Sequence, residues 1–176
     1  MATAISGHFG DVLSSNATQL NFATEHGTEL DSLPVHPDLR RLLEYWRGKC
    51  GERPFPRRAD IDPIDLSFML GRIALTEVHG EQPRRFRMRL VGTFWRELSG
   101  VELSGSWVED LPTASLRDLT IGFYEAMIAA RKPRFAVRDA IVDDKLLRYE
   151  IMLLPLSEDG NGISMILTGI GRGDGD

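Results

Sequence analysis

Apolar residues and arginines alternate along residues 84–91. The apolar members are Phe86, Met88 and Leu90, and they stand between Arg85, Arg87 and Arg89. A period of two predicts a strand that buries one face. The alternation stops at Gly92, and short helical segments follow that end at Gly100 and Gly105. A strand that leads directly into a compact helical cover predicts a pocket over one face of a sheet.

Two longer segments carry apolar residues at helical spacing. The first begins at the helix-start pattern His36-Pro37-Asp38. Its apolar residues are Leu39, Leu42, Leu43 and Trp46. Their spacing of i, i+3, i+4 and i+7 places them on one face of a helix. The second segment covers residues 114–132, has a wide apolar face and is ended by Pro133.

Between these two segments, Pro54 and Pro56 predict an extended linker. Asp62-Pro63 then predicts the start of a second, shorter helix. The apolar side of this helix is expected to consist of Ile64, Phe68 and Met69.

Strands are predicted over residues 71–78, 84–91, 135–142, 146–156 and 163–170. Short turns join them in hairpins, which predicts antiparallel pairing. The last two segments are apolar on both faces, as is typical of central strands covered on both sides. One cover is the helical segment after Gly92. The other is the helix around Trp46, either from the same chain or from a second copy. The predicted fold class is α+β.

These elements divide the chain into four parts. We expect residues 1–35 to form a mobile N-terminal tail, because they are polar and lack a clear period. A short helix around residues 19–25 is the alternative. Residues 36–70 form the N-terminal helical segment, 71–171 the α+β core and 172–176 a C-terminal tail.

The composition limits the classes of function. The 176 residues carry a formal net charge of −5, which gives no general attraction to nucleic acid or anionic membranes. The single cysteine, Cys50, excludes an internal disulfide and fits a reducing compartment. The chain has no apolar run of membrane-spanning length and no signal-peptide pattern. We therefore expect a cytoplasmic protein.

Two glycine motifs in the helical cover carry a family resemblance. Leu98-Ser99-Gly100 and Leu103-Ser104-Gly105 are followed by the segment Trp107-Val108-Glu109-Asp110-Leu111. This succession after a strand resembles the PAS domain. The corner Gly92-Thr93-Phe94 departs from the Asn-Pro-Ala-like corner of that family, in which the Asn side chain caps the helix.

A longer pattern is similar to one stand-alone PAS branch that is common in alphaproteobacteria. Its pieces are Tyr45-Trp46, the run Arg58-Ala59-Asp60-Ile61-Asp62-Pro63, the run from Arg85 to Thr93, and Leu154-Pro155-Leu156. The resemblance implies a five-stranded antiparallel sheet, a helical insert over one face between the second and third strands, and a sensory or protein-interaction role.

Aromatic and methionine residues near the insert form the candidate ligand pocket. They are Phe94, Trp95, Trp107, Phe123, Tyr124, Met127 and Tyr149. Such side chains are typical of small-molecule pockets, and they are equally typical of an ordinary core. Both interpretations stay open from the sequence.

Candidate catalytic and metal-binding residues are absent from the predicted pocket. The four histidines are His8, His26, His36 and His79, and none pairs with another at a metal-ligand spacing. The helix over 114–132 has no histidine for haem, and Cys50 lies outside the insert where a covalent flavin adduct would form. We expect neither cofactor, no metal and no enzyme activity. A non-covalent flavin or an organic metabolite stays open.

Two basic clusters provide an alternative function. Residues 40–58 hold seven Lys or Arg against two Glu, and residues 84–96 hold five Arg. Such clusters bind nucleic-acid backbones, but pairing with acidic side chains explains them as well. A small enzyme on an α+β pocket fold is the other alternative.

The sequence therefore favours a signal-transduction module that binds a partner protein, with a small-molecule ligand and a homodimer left open. We expect no attached kinase, cyclase or DNA-binding unit, because 176 residues would hold little beyond the predicted domain. We expect the face of Leu39, Leu42, Leu43 and Trp46 to be the docking or homodimer surface.

Overall fold

The computed structural model describes residues 25–28, 34, 36–142 and 145–172 of the chain. The strands are β1 (Glu25–Thr28), β2 (Ile73–His79), β3 (Arg85–Val91), β4 (Arg134–Val142), β5 (Lys145–Leu156) and β6 (Met165–Arg172). The α-helices are α1 (Pro37–Cys50), α2 (Thr93–Ser99) and α3 (Ala114–Ala130). Short 3₁₀ helices cover Arg58–Asp60, Ser67–Arg72 and Val108–Asp110.

The strands form one antiparallel sheet in the order β1-β4-β5-β6-β2-β3. The five predicted strands are β2 to β6, so the α+β class and the predicted PAS-like sheet are confirmed. The first strand, β1, extends this sheet by pairing with β4. Strand β1 lies within the segment that was predicted to be a mobile tail. The rest of residues 1–33 lies outside the described residues. The alternative helix over residues 19–25 therefore also lies outside them, except for Glu25.

Helix α1 begins and ends where its sequence predicts. The Nδ1 atom of His36 accepts a hydrogen bond from the backbone N–H of Asp38 (3.2 Å), and Pro37 occupies the first turn, where its missing N–H costs nothing. Gly51 follows the last turn with φ of 58°, a conformation that glycine adopts without strain.

Glycines of β6 allow α1 to lie close to the sheet. A Cβ atom on Gly169 would be 2.5 Å from the Cδ2 atom of Leu42, and one on Gly171 would be 2.5 Å from His36. The indole N–H of Trp46 donates to the backbone oxygen of Pro155 in β5 (2.9 Å). The cover of this face is therefore α1 of the same chain.

This packing corrects the predicted docking surface. Leu39, Leu42, Leu43 and Trp46 are 0%, 0%, 1% and 6% exposed and belong to the core. The protein's own sheet covers this apolar face. It removes from water the same area that a partner would have covered, so the face is not exposed for docking.

A β-bulge corrects the predicted burial of Leu90. The register of β2 and β3 shifts between the pairs Leu75–Leu90 and Thr76–Met88, so that Arg89 is the extra residue. The bulge turns Leu90 to the opposite face of the sheet at its edge, and its side chain is 45% exposed. Phe86 and Met88 stay buried as predicted.

The predicted short helix after Asp62-Pro63 is also wrong in detail. The side chain of Asp62 accepts from the N–H of Ile64 (2.9 Å), which closes a turn in place of a helix start. Ile64 is 79% exposed, and a 3₁₀ helix begins only at Ser67. Leu66 and Met69 are the buried residues of this segment.

Among the described residues, no helix combines the length and the apolar content that crossing a bilayer requires.

Candidate functional site

A cavity of about 40 Å³ lies between the sheet and the helical insert. The sheet contributes Ala74, Thr76, Met88, Val91, Arg138, Tyr149 and Ile151. The helices and the loop between them contribute Trp95, Leu98, Ser99, Leu103, Leu111, Leu116, Thr120, Phe123 and Tyr124. The predicted pocket over one sheet face is therefore present, with mostly apolar walls and a few polar groups.

The backbone of the β3–α2 corner places α2 over this cavity. Gly92 is the residue before the helix and provides no side-chain cap, in contrast to the Asn of the family pattern. Its own oxygen accepts from the N–H of Trp95 (3.1 Å), which starts the first turn. At the end of α2, Gly100 adopts φ of 73°, and its backbone N–H donates to the backbone oxygen of Arg96 (2.8 Å).

The loop after α2 closes the outer edge of β3. The N–H of Met88 donates to the oxygen of Ser106 (2.9 Å), and the N–H of Gly105 donates to the oxygen of Met88 (2.6 Å). Gly105 has φ of 86°, a conformation that favours glycine, which explains the second glycine that the sequence predicted to end a helical segment. An edge paired in this way is protected from pairing with another chain.

A buried hydroxyl pair lies in the cavity wall. The hydroxyl groups of Thr76 and Tyr124 are 3.3 Å apart, and the two residues are 0% and 6% exposed. Burial raises the pKa of Tyr124 above its usual value, and the hydrogen bond with Thr76 offsets this in part. The ring of Tyr124 contacts Phe86 edge to face (centroids 5.1 Å apart).

Arg138 places a positive charge in the same wall. It comes from the middle of β4, is 4% exposed, and its guanidinium lies over the ring of Phe123 (4.7 Å to the centroid). Sequence reasoning missed this residue. The signal was available, because Arg138 is in phase with the buried Ala136 and Ala140 on a strand of period two.

Trp95 contributes a buried hydrogen-bond donor. Its indole Nε1 atom is buried and has no hydrogen-bond partner among the described residues. Buried N–H groups are nearly always paired, so this N–H is a candidate donor to a bound molecule.

The structure brings together four of the seven predicted pocket residues. Trp95, Phe123, Tyr124 and Tyr149 line the cavity. Phe94 and Met127 are buried elsewhere in the core, with the ring of Phe94 against that of Tyr149 (centroids 6.0 Å apart). Trp107 packs outside the cavity, at the sheet edge. Its ring centroid is 5.2 Å from that of His79 and 4.1 Å from the guanidinium carbon of Arg85.

The cavity does not fit a haem or a flavin in this conformation. Pockets for ligands of that size enclose about 300 Å³ or more. His36 caps α1, His79 lies against Trp107, and neither lines the cavity. Cys50 lies in the last turn of α1, where burial raises the pKa of its thiol. No group of three or more potential metal ligands occurs among the described residues.

Acidic side chains pair with some residues of the two basic clusters, most of them in the second cluster. Ion pairs join Arg53 to Asp60 (2.7 Å), Arg84 to Glu125 (2.7 Å), Arg85 to Glu109 (3.5 Å) and Arg89 to Glu77 (2.6 Å). The Arg89 guanidinium also holds the pKa of the Glu77 carboxyl below its usual value. These arginines therefore pair with acidic side chains of the same protein, which weakens the case for a nucleic-acid surface.

The sheet, the insert and the cavity match a known family. The profile of the PAS domain matches residues 35–170, which is most of the chain. This chain belongs to the PAS domain family. PAS domains are sensory and interaction modules, and the cavity of this PAS domain lies between its sheet and its helical insert. No curated protein and no solved structure matched the chain.

The buried hydroxyl of Tyr124 predicts a pH dependence of stability. Its pKa is raised on folding, so its stabilising effect is complete below the ordinary tyrosine pKa of about 10 and is lost as pH rises through the folded-state value. We expect the free energy of unfolding to fall between about pH 9 and pH 11.5, and to fall less steeply in Tyr124→Phe. Urea unfolding across this pH range measures the free energy of unfolding of the wild type and of Tyr124→Phe. Equal slopes for the wild type and Tyr124→Phe would contradict the assignment.

Proposed function

We propose that this PAS domain is a sensory module that takes a small molecule into the cavity between sheet and insert and transmits its state to a partner protein. The observation that carries the ligand part is the unsatisfied indole N–H of Trp95 at the wall of a largely apolar cavity. Evolved ligand pockets combine such walls with a few placed polar groups.

The cavity wall favours binding over catalysis. Its ionisable side chains are Arg138, Tyr124 and Tyr149, and among the described residues that line it there is no carboxylate, imidazole or thiol. General acid–base catalysis near neutral pH needs a group that titrates there, which arginine and a buried tyrosine do not. This is why we do not favour the enzyme alternative.

The partner part rests on the general role of PAS domains as interaction modules. We propose that the module works in the cytoplasm, where a lone thiol such as Cys50 stays reduced. Because the sheet covers the apolar face of α1, we do not propose that face as the contact with the partner. A homodimer is the alternative form of the association.

Native mass spectrometry of the full chain, purified without denaturation, tests the ligand part. We expect a bound mass that is lost on denaturation. Thr120→Phe places a large side chain from α3 into the cavity and is expected to abolish this mass. Ser115→Phe, an exposed position on the same helix, is the matched control and is expected to retain it.

The same spectra give the oligomeric state, which distinguishes a homodimer from a monomer. A pull-down with the wild type and Thr120→Phe then tests the transmission of the state. A partner captured equally by both forms would contradict control by the cavity. The absence of any bound mass in the wild type, with no difference in thermal stability on addition of small molecules, would contradict the ligand part.

A further inference from the structure

We propose that the ligand of this cavity is a small uncharged molecule with one hydrogen-bond acceptor, of the class of short-chain ketones and aldehydes. The inference rests on the proposed function and names the ligand class of the same site. The apolar surface of the wall, the pairing of its polar groups and the volume of the cavity each support it.

The wall presents mainly hydrocarbon to a ligand. Its apolar members include Met88, Leu98, Leu103, Leu116 and Ile151. These side chains contact carbon atoms well but cannot pair with a charge. Moving an ion from water to such a wall costs far more than moving a neutral molecule of the same shape, unless the wall supplies a partner for the charge.

The wall offers no counter-charge that is open to a ligand. Among the described residues that line the cavity there is no acidic side chain, so a cationic ligand has no partner there. Arg138 is itself engaged within the protein. Its guanidinium lies over the ring of Phe123 (4.7 Å to the centroid), and it has a further interaction in the chain. An anion would have to compete with these contacts, so the wall favours an uncharged ligand.

Several polar groups of the wall are already paired inside the protein. The hydroxyl groups of Thr76 and Tyr124 are 3.3 Å apart. The hydroxyl of Ser99 donates to the backbone oxygen of Val101 (3.1 Å). A ligand with many polar groups would leave most of them without partners, which costs binding free energy. The ligand is therefore expected to carry few.

Trp95 supplies the candidate donor for the acceptor of the ligand. It lines the cavity, and its Nε1 atom is buried without a hydrogen-bond partner in the part of the chain that the structure describes. An indole N–H can donate a hydrogen bond but cannot accept one. One carbonyl oxygen satisfies it, and the rest of the ligand can then be hydrocarbon.

The volume of the cavity, about 40 Å³, limits the size of the ligand. An engineered apolar cavity of about 150 Å³ holds a benzene molecule, so this cavity suits a molecule of only a few non-hydrogen atoms.

Ligand-observed NMR titrations on the full chain test the absence of charge. The probes are acetone, acetate and isopropylammonium, which have the same number of non-hydrogen atoms and similar shapes, at matched ionic strength. We expect acetone to bind at least about tenfold more tightly than either ion, because the wall does not repay the desolvation of a charge. Thr120→Phe is expected to abolish acetone binding, and the control Ser115→Phe to retain it.

Two measurements on Trp95 test the acceptor. Trp95→Phe keeps an aromatic ring and removes the N–H, and it is expected to weaken acetone binding at least about threefold. Xenon has no acceptor, and its binding, followed by xenon NMR, is expected to change less than about twofold, since it depends on the apolar walls alone. Circular dichroism checks the fold of the variant.

The second measurement uses the wild type and is independent of the stability of any variant. The indole N–H proton resonance of Trp95, assigned by triple-resonance NMR, is expected to move downfield when acetone binds. The indole N–H of Trp46 is the matched control, because it already donates to the backbone oxygen of Pro155 (2.9 Å), and its resonance is expected to stay in place.

The outcomes separate the ligand class from the proposed function. Acetate or isopropylammonium binding as tightly as acetone would overturn the uncharged class. Acetone binding that is unchanged in Trp95→Phe, with no shift of the Trp95 resonance, would overturn the acceptor assignment. Each of these results leaves the proposed function in place, as does a charged molecule found in the native mass spectra, which would also overturn the inference. If no probe binds and the wild type carries no bound mass, both fail.

Discussion

Gly92→Ala is expected to destabilise the protein by about 3 kcal/mol or more, which is the upper part of the usual range for overpacking. The Cβ atom would clash with the oxygen of Gly71, and it would lie 2.5 Å from the carbon of Gly71 and 2.8 Å from the oxygen of Leu70. All three are backbone atoms at the junction of the 3₁₀ helix and β2, so no side-chain rotation relieves the contact. Thermal and urea unfolding measure the effect.

Two other glycine substitutions separate this steric effect from backbone strain. Gly92 has φ of −68°, which alanine adopts freely, so the contact alone should destabilise Gly92→Ala. Gly100 has φ of 73° with open space at its Cβ, and Gly100→Ala is expected to cost only about 1 kcal/mol. Gly122 lies in α3 with open space around it, and Gly122→Ala is expected to stabilise by about 0.5–1 kcal/mol. A Gly92→Ala variant as stable as the wild type would show that the β3–α2 corner is packed differently.

Leu42→Asp is expected to remove about 4 kcal/mol or more of stability, a large part of what a domain of this size has. Leu42 is 0% exposed and its Cδ2 atom contacts the backbone of β6 at Gly169. An aspartate there loses the apolar contacts of leucine and carries either a buried charge or a proton taken up at a raised pKa. Circular dichroism and thermal unfolding measure the loss.

The same helix offers a control for Leu42→Asp. Glu44 is exposed on the opposite side of α1, and Glu44→Ala is expected to change the stability by no more than about 0.5 kcal/mol. If Leu42→Asp folded normally and only changed the oligomeric state, α1 would be a docking surface after all. A variant that unfolds supports the role of α1 as the cover of its own sheet.

Local sequence features were sufficient to place most of the elements. The caps of α1, the glycines at positions 100 and 105 and the alternation of β3 each depend on neighbouring residues. The five predicted strands and the two long predicted helices lie within a few residues of their observed bounds. The two apolar faces of β5 and β6 predicted central strands, and both are central. Four of the seven pocket residues were found because large apolar side chains on the insert and the facing strands must meet.

Long-range pairing decided the rest. The bulge at Arg89 turns Leu90 to the other face, and it depends on the register between β2 and β3. Whether Phe94, Met127 and Trp107 line the cavity or fill space beside it depends on how α2 and α3 lie over the sheet. The sequence could not distinguish these cases, because a core and a pocket use the same residue types.

By itself, then, the sequence determined strands β2 to β6 and the two long helices, because these follow from periodicity and from backbone preferences within a few residues. Its motifs also indicated the family of this PAS domain. Only the tertiary structure decided what each apolar face contacts. Leu42 packs against Gly169, more than a hundred residues away, so the face expected to bind a partner is internal. Arg138 is brought by the sheet to a cavity wall that it shares with Trp95 of α2. Contacts between residues so far apart depend on the packing of the whole fold, and local patterns do not encode them.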